Sequence, residues 1–251
     1  MQPLSDPVAE GRRLHSFILD HQLGVRLLGG VGVVLHAHGP IPAPLQRSYK
    51  DLDFAVSRRS AIAWRELLES QGYEADTRFN TLHGRQRLLH YDWVNGRQVD
   101  TFVGAFEMCH TIDLDRRVDV PGPSLAPVDL LLTKLQIVEV NDKDLIDTLV
   151  LLADHLVAPN DPEAVDPQRL TALAGDNWGW YTTLSDNLEK LQARLATLPL
   201  GEDLVVRLSE RILTVRSAVD SAPRSLRWRA RAAIGRRMPW YDLPEEVGRD
   251  L

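Results

Sequence analysis

The spacing of hydrophobic and polar residues changes several times along the chain, and each change marks an element. From Val8 to Gln22, Leu14, Phe17 and Ile18 recur on one side, which predicts an amphipathic helix. Val25–Leu28 is a short apolar run stopped by Gly29-Gly30 and reads as a buried strand. Val31–His38 reads as a short helix after the glycines. The segment Gly39-Pro40-Ile41-Pro42-Ala43-Pro44 reads as a loop, because proline lacks the amide donor a helix needs. Lys50–Val56 alternates, with Leu52, Phe54 and Val56 to one side and Asp51, Asp53 and Ala55 to the other. That is the period of a strand with one buried face. Ser60 is placed to cap a helix over Ala61–Ser70, ended at Gly72.

Two strand-like runs, Gln86–Trp93 and Arg97–Val103, flank Asn95-Gly96, a pair that favours a type I′ hairpin turn. Asp100 then falls on the second strand of a hairpin. Helical spacing returns at Pro127–Val140, where proline suits the first turn, and again at Asp142–His155. Ala158–Pro167 carries three prolines and reads as a linker. Beyond it only helices are expected, at about 177–197, 202–220 and 223–235. The expected architecture is an α/β domain over residues 1–158 and a helical domain or extension over 159–251.

Composition narrows the class. The chain has 251 residues, is 44% hydrophobic and 25% charged, and carries a formal charge of −6. Those values suit a folded globular protein and do not advertise nucleic-acid binding as a whole. One cysteine, Cys109, excludes an internal disulfide framework, and the opening residues lack a signal-peptide pattern. No apolar stretch approaches the roughly 20 residues that span a bilayer. The expectation is a cytoplasmic protein without a membrane partner.

The chemistry concentrates at the glycines and carboxylates. Asp51 and Asp53 are two apart on a strand, so they share a face and can converge on one divalent ion. Asp100, on a neighbouring strand, is a third oxygen donor. Mg²⁺, or Mn²⁺ in its place, suits such a set, since magnesium takes carboxylate and phosphate oxygens in octahedral geometry. Phosphoryl transfer uses this arrangement to activate the attacking hydroxyl and to neutralise the leaving phosphate. Gly29-Gly30 ends a strand and opens a helix, where bare backbone N–H groups can approach phosphate closely. Arg47 and Lys50 flank the acidic strand and are placed to neutralise phosphate charge. Arg85 and Arg87, on alternate strand positions, are candidates for substrate contact.

The runs Leu27-Leu28-Gly29-Gly30 and Arg47-Ser48-Tyr49-Lys50-Asp51-Leu52-Asp53-Phe54 resemble the nucleotidyltransferase superfamily of polymerase-β-like fold. Its signature is Gly-Gly or Gly-Ser, then Asp-x-Asp or Asp-x-Glu, then a third carboxylate on a later strand. Lys134 followed by Lys143-Asp144-Leu145-Ile146-Asp147 is similar to the AbiEii-type branch, the bacterial abortive-infection and toxin–antitoxin nucleotidyltransferases. Together the motifs span roughly residues 24–156, with Lys143 at a position where the branch pattern carries Arg. The resemblance implies a mixed sheet flanked by helices and Mg²⁺-dependent transfer of a nucleoside monophosphate from an NTP to an acceptor hydroxyl. It assigns Asp51, Asp53 and Asp100 as catalytic metal ligands. Gly29, Gly30, Arg47, Lys50, Lys134, Asp144 and Asp147 become nucleotide-binding residues. The branch implies GTP binding or nucleotide addition to tRNA ends, as part of a toxin module with an antitoxin protein as partner. A small-molecule acceptor of the aminoglycoside type and a non-catalytic nucleotide-binding module are the competing expectations.

Other residues read as structural. His36, His38, His83 and His90 match no zinc-ligand spacing, and Cys109 beside Met108 reads as a buried thiol. Arg224, Arg227, Arg229, Arg231, Arg236 and Arg237 surround Trp228. They suit either RNA contact or a helix that docks Leu226, Ala230, Ala233 and Ile234 and leaves its arginines solvated.

Overall fold

The computed structural model describes residues 2–243. At its centre is a mixed five-stranded sheet built from β1 (Val25–Leu28), β2 (Leu52–Val56), β3 (Glu74–Ala75), β4 (Arg87–Asp92) and β5 (Arg97–Val103). The spatial order is β1-β2-β5-β4-β3. β2 and β5 are parallel, and the other neighbours are antiparallel. The connection between β2 and β5 runs through α3 (Ala61–Ser70), β3, α4 (Thr77–His83) and β4. β6 (Ala105–Glu107) and β7 (Thr111–Asp113) form a separate antiparallel pair.

Strand alternation sorts the sheet residues between two cores. Leu52, Phe54 and Val56 pack with Leu14 and Ile18 of α1 (Pro7–Asp20) and Trp64 of α3. The Phe54 and Trp64 rings lie 4.7 Å apart, and the Trp64 Nε1–H donates to Thr101 at 3.0 Å. The opposite face was expected to be polar, yet Ala55 is fully buried there. It packs with Leu28, Phe102 and the helices α5 (Pro127–Leu135) and α6 (Asp142–Asp154). The sheet is covered on both faces, and Asp53 is the one residue of β2 that stays partly exposed. α2 (Gly29–His36) serves both cores, Val31 and Leu35 in one and Val33 in the other.

The second core does not stop at the end of α6. It continues into α7 (Pro167–Asp176), α8 (Trp178–Leu195) and α9 (Glu202–Asp220), from Leu28 as far as Ala222. Polar clips reinforce the join. Asp129 of α5 is fully buried and pairs with Arg117 at 2.7 Å and with Arg169 of α7 at 2.5 Å. The Asn187 amide of α8 donates to the carbonyls of Leu135 and Ile137 at 2.8 and 2.7 Å, which closes the end of α5.

Several local expectations change. The β4–β5 hairpin forms, but its turn is not type I′. Register pairs Asp92 with Arg97, so the turn has four residues, and among the described residues Gly96 has positive φ while Asn95 does not. The Asn95 amide is instead tied to Asp92 at 2.7 Å and to the Pro3 carbonyl. Ser60 does not cap α3; its hydroxyl accepts from the Gly24 amide at 3.0 Å. α2 begins at Gly29 rather than Val31, and α5 ends at Leu135 rather than near Val140. The 158–167 segment is no free linker. Val165 is fully buried and its amide donates to the Leu156 carbonyl at 2.9 Å, so the prolines shape a pinned loop. α4, α7 and the β6–β7 pair had no expected counterpart. Cys109 is buried, as read.

The arginine-rich α10 (Leu226–Ile234) does not dock the apolar face expected of it. Leu226 and Ile234 are exposed, and the arginines hold the helix. Arg224 stacks on Tyr181 and Trp228 at 4.2 and 4.7 Å, and Arg231 on Trp178 at 4.8 Å. Arg236 pairs with Asp186 at 2.6 Å. No helix among the described residues is long and apolar enough to cross a membrane.

Candidate active site

Register brings the carboxylates together. Asp53 of β2 lies directly beside Asp100 of β5, and Leu28, at the end of β1, lies beside Asp53 on its other side. Side chains of residues paired across a sheet point to the same face, so the two carboxylates are neighbours on the face that α5 overlies. Asp51 precedes β2 and accepts from the Gln98 amide at 3.4 Å.

The electrostatics of Asp53 follow from this crowding. Burial, then the nearby Asp100 and Asp51 carboxylates, push its carboxyl up to about 7, against the pull of Lys134 and Arg87. Asp100 is fixed in orientation: Arg87 donates to one oxygen and Gln98 to the other, both at 2.7 Å. Arg87 therefore reaches this site through Asp100, whereas Arg85 is exposed and lies before the strand. Gln98 escaped the sequence reading, because a glutamine two residues before an aspartate carries no motif.

Both glycines are required by contacts. Gly29 adopts φ +63°, and a Cβ there would sit 2.0 Å from an Asp53 carboxylate oxygen. A Cβ on Gly30 would sit 2.0 Å from the Arg47 guanidinium. The bare backbone thus lets Asp53 and Arg47 close against the start of α2. Among the described residues no side chain caps that helix, so its first-turn N–H groups keep their donor capacity.

A second charged cluster adjoins the first. Arg47 makes a two-bond fork to Asp147, both bonds at 2.7 Å. Its guanidinium lies 4.3 Å from the Tyr49 ring. Lys134 of α5 contacts Asp147 at 2.8 Å and Asp144 at 2.9 Å. Lys134 and Asp147 are both buried. Burial alone would lower the Lys134 pKa, but Asp147 and Asp144 outweigh it and the net shift is upward. Burial likewise opposes ionisation of Asp147, and Lys134 and Arg47 reverse that, so its carboxyl is held low. The sequence spacing also allowed a surface pair between Lys143 and Asp147; Asp147 is instead fully buried and faces inward. Lys50 is exposed.

Of the residues singled out in the sequence, Gly29, Gly30, Arg47, Asp51, Asp53, Asp100, Lys134, Asp144 and Asp147 form one connected neighbourhood. The four histidines considered for zinc do not. His90 is fully buried, both its ring nitrogens lack a hydrogen-bond partner among the described residues, and burial pushes its pKa down to about 4. His83 ends α4, its ring tilted against that of Phe79 at 4.8 Å. No protein-family model matches the chain, and no curated protein matches it.

Proposed function

We propose that the protein is a nucleotidyltransferase of polymerase-β-like fold, moving a nucleoside monophosphate from an NTP to an acceptor hydroxyl with Mg²⁺ or Mn²⁺. One observation carries the reading. Asp53 and Asp100 stand side by side on parallel strands, with Asp51 nearby and the uncapped start of α2 against Asp53. The residues fit a divalent cation: three carboxylates crowd together, and the strain appears as the raised pKa of Asp53. Asp51, Asp53 and Asp100 would hold the ion, which supplies neutralisation of phosphate charge when bound.

The chain's own groups divide the remaining work. The first-turn N–H groups of α2, freed by Gly29 and Gly30, hold phosphate oxygens. The acceptor oxygen attacks the α-phosphorus, the bond to pyrophosphate breaks, and Asp100 receives the hydroxyl proton while Arg87 and Gln98 keep it aimed. Arg47 and Lys134 stay charged and lend positive potential beside the triphosphate, with Asp144 and Asp147 positioning them. Lys50 meets the outgoing phosphates from solvent.

The cavities beside the site support a nucleic-acid acceptor such as tRNA, whereas the toxin-like AbiEii branch and an antitoxin partner rest on the motif resemblance alone. A cavity of about 330 Å³ begins at Arg87 and Phe102. It shares Thr111 and Asp242 with a cavity of about 650 Å³ lined by Trp178, Trp240, Arg227 and Arg231. Aromatic rings beside guanidinium groups stack bases and meet phosphates. The test is incubation of wild type and Asp53→Ala with labelled NTPs, Mg²⁺ and total tRNA. Label on tRNA that disappears in the variant is the expected result. Transfer that survives Asp53→Ala refutes the site. Label on an aminoglycoside alone selects the small-molecule alternative, and no label on any acceptor selects a nucleotide-binding module.

A further inference from the structure

Away from the carboxylates, three histidines and two acids gather where the end of α2, the end of α6 and the pinned loop before α7 meet. His36 is the last residue of α2, and His155 follows α6 as its C-cap. The His155 ring centroid lies 4.9 Å from that of His36 and 5.1 Å from that of His38. Nδ1 of His155 is 2.9 Å from the Glu163 carbonyl oxygen, which assigns its proton to that nitrogen. Nε2 then carries a bare lone pair. His155 is 2% exposed, and Nε2 has no hydrogen-bond partner among the described residues.

His38 lies between the acids. Its Nδ1 is 3.6 Å from Asp154 and its Nε2 is 3.5 Å from Glu163. These separations exceed a hydrogen bond of roughly 2.7–3.2 Å. They approach the edge of a tetrahedron with bonds near 2.0 Å, which is about 3.3 Å. One ligand atom from each of His38, Asp154 and His155 lies within 4.8 Å of the others.

We propose that His38, Asp154 and His155 bind a transition-metal ion of the Zn²⁺ class, at a site separate from the three aspartates. Two imidazoles and a carboxylate suit zinc rather than magnesium, which prefers oxygen alone. Glu163 is the outer partner: its carbonyl accepts from His155 and sets that ring, and its carboxylate lies 3.5 Å from the far nitrogen of His38. The His38 side chain is 60% exposed, so water reaches the fourth position. The ion would tie the Pro-rich loop after His38 to the end of α6. The proposal does not depend on nucleotidyl transfer.

Titration of the full, tag-free chain with Co²⁺ tests it. The expected result is intense visible absorption of tetrahedral cobalt, saturating at one equivalent and displaced by Zn²⁺. His38→Ala removes an exposed side chain and leaves the core intact. It should weaken binding by more than the roughly 10–100-fold that loss of an outer partner costs. Asp154→Asn should act likewise, and His83→Ala should change nothing. A pale spectrum identical to free Co²⁺, or a bright one that survives His38→Ala, overturns the proposal.

Discussion

The Asp147 carboxylate is fully buried and the Asp53 carboxylate largely so, and burial has opposite consequences for them. Asp147 meets the Arg47 fork and the Lys134 ammonium, and its carboxyl is held low. Asp53 meets two more carboxylates, and its carboxyl rises to about 7. A compensated buried charge is a device of architecture; an uncompensated one is a place for a ligand. The two clusters share Lys134, whose charge reaches both, so the architectural pair also tunes the acidic one.

The comparison breaks most clearly at Asp147. Asp147→Asn should lower stability by about 3–5 kcal/mol, because two cations lose their buried partner; urea unfolding reads this. Asp53→Asn should do the reverse. Activity should fall at least about 10²–10³-fold, measured as NTP turnover, while stability at pH 8 rises. The sign follows from proton binding. Between pH 4 and 7 native Asp53 keeps a proton that the unfolded chain has released, so wild-type stability falls as pH rises through that window. The asparagine variant should flatten the slope, and Mg²⁺ should flatten it in wild type. Asp147 works in the other direction: its contribution is present above pH 4 and is lost on acidification.

A smaller effect is expected at Gly29→Ala, about 1–3 kcal/mol from the positive φ, with activity lost beyond that because the methyl collides with Asp53. Differential scanning calorimetry and turnover assays separate the two. At the low end, Lys50→Ala should change stability by less than about 0.5 kcal/mol. A large loss there would mean that Lys50 belongs to the compensated cluster.

The legible parts of the molecule were those in which local pattern and chemistry coincide. Alternation at Leu52–Val56 marked β2, and the spacing of Asp51, Asp53 and Asp100 gave the acidic face before the register was known. What stayed hidden depends on distant partners. Nothing near Asn95 in sequence reveals that the Pro3 carbonyl, 92 positions away, shares its amide with Asp92, and the turn type was misjudged. α10 suited either RNA contact or an apolar docking face, because stacking of Arg224 and Arg231 on aromatic rings leaves no periodic signal. His155 sits 117 positions from His38, so no spacing rule could join them. Pairing of Arg47 with Asp147 was invisible for the same reason.

The closure of α5 by Asn187 has a consequence for how the molecule opens. The last carbonyl of the helix that carries Lys134, and that of Ile137 just beyond it, are bonded to a side chain of α8, and the same apolar core runs beneath both. The amide protons of α5 and α8 should therefore exchange with solvent in one cooperative unit. A proteolytic cut that frees the 168–243 helices would then loosen the grip on Lys134 as well.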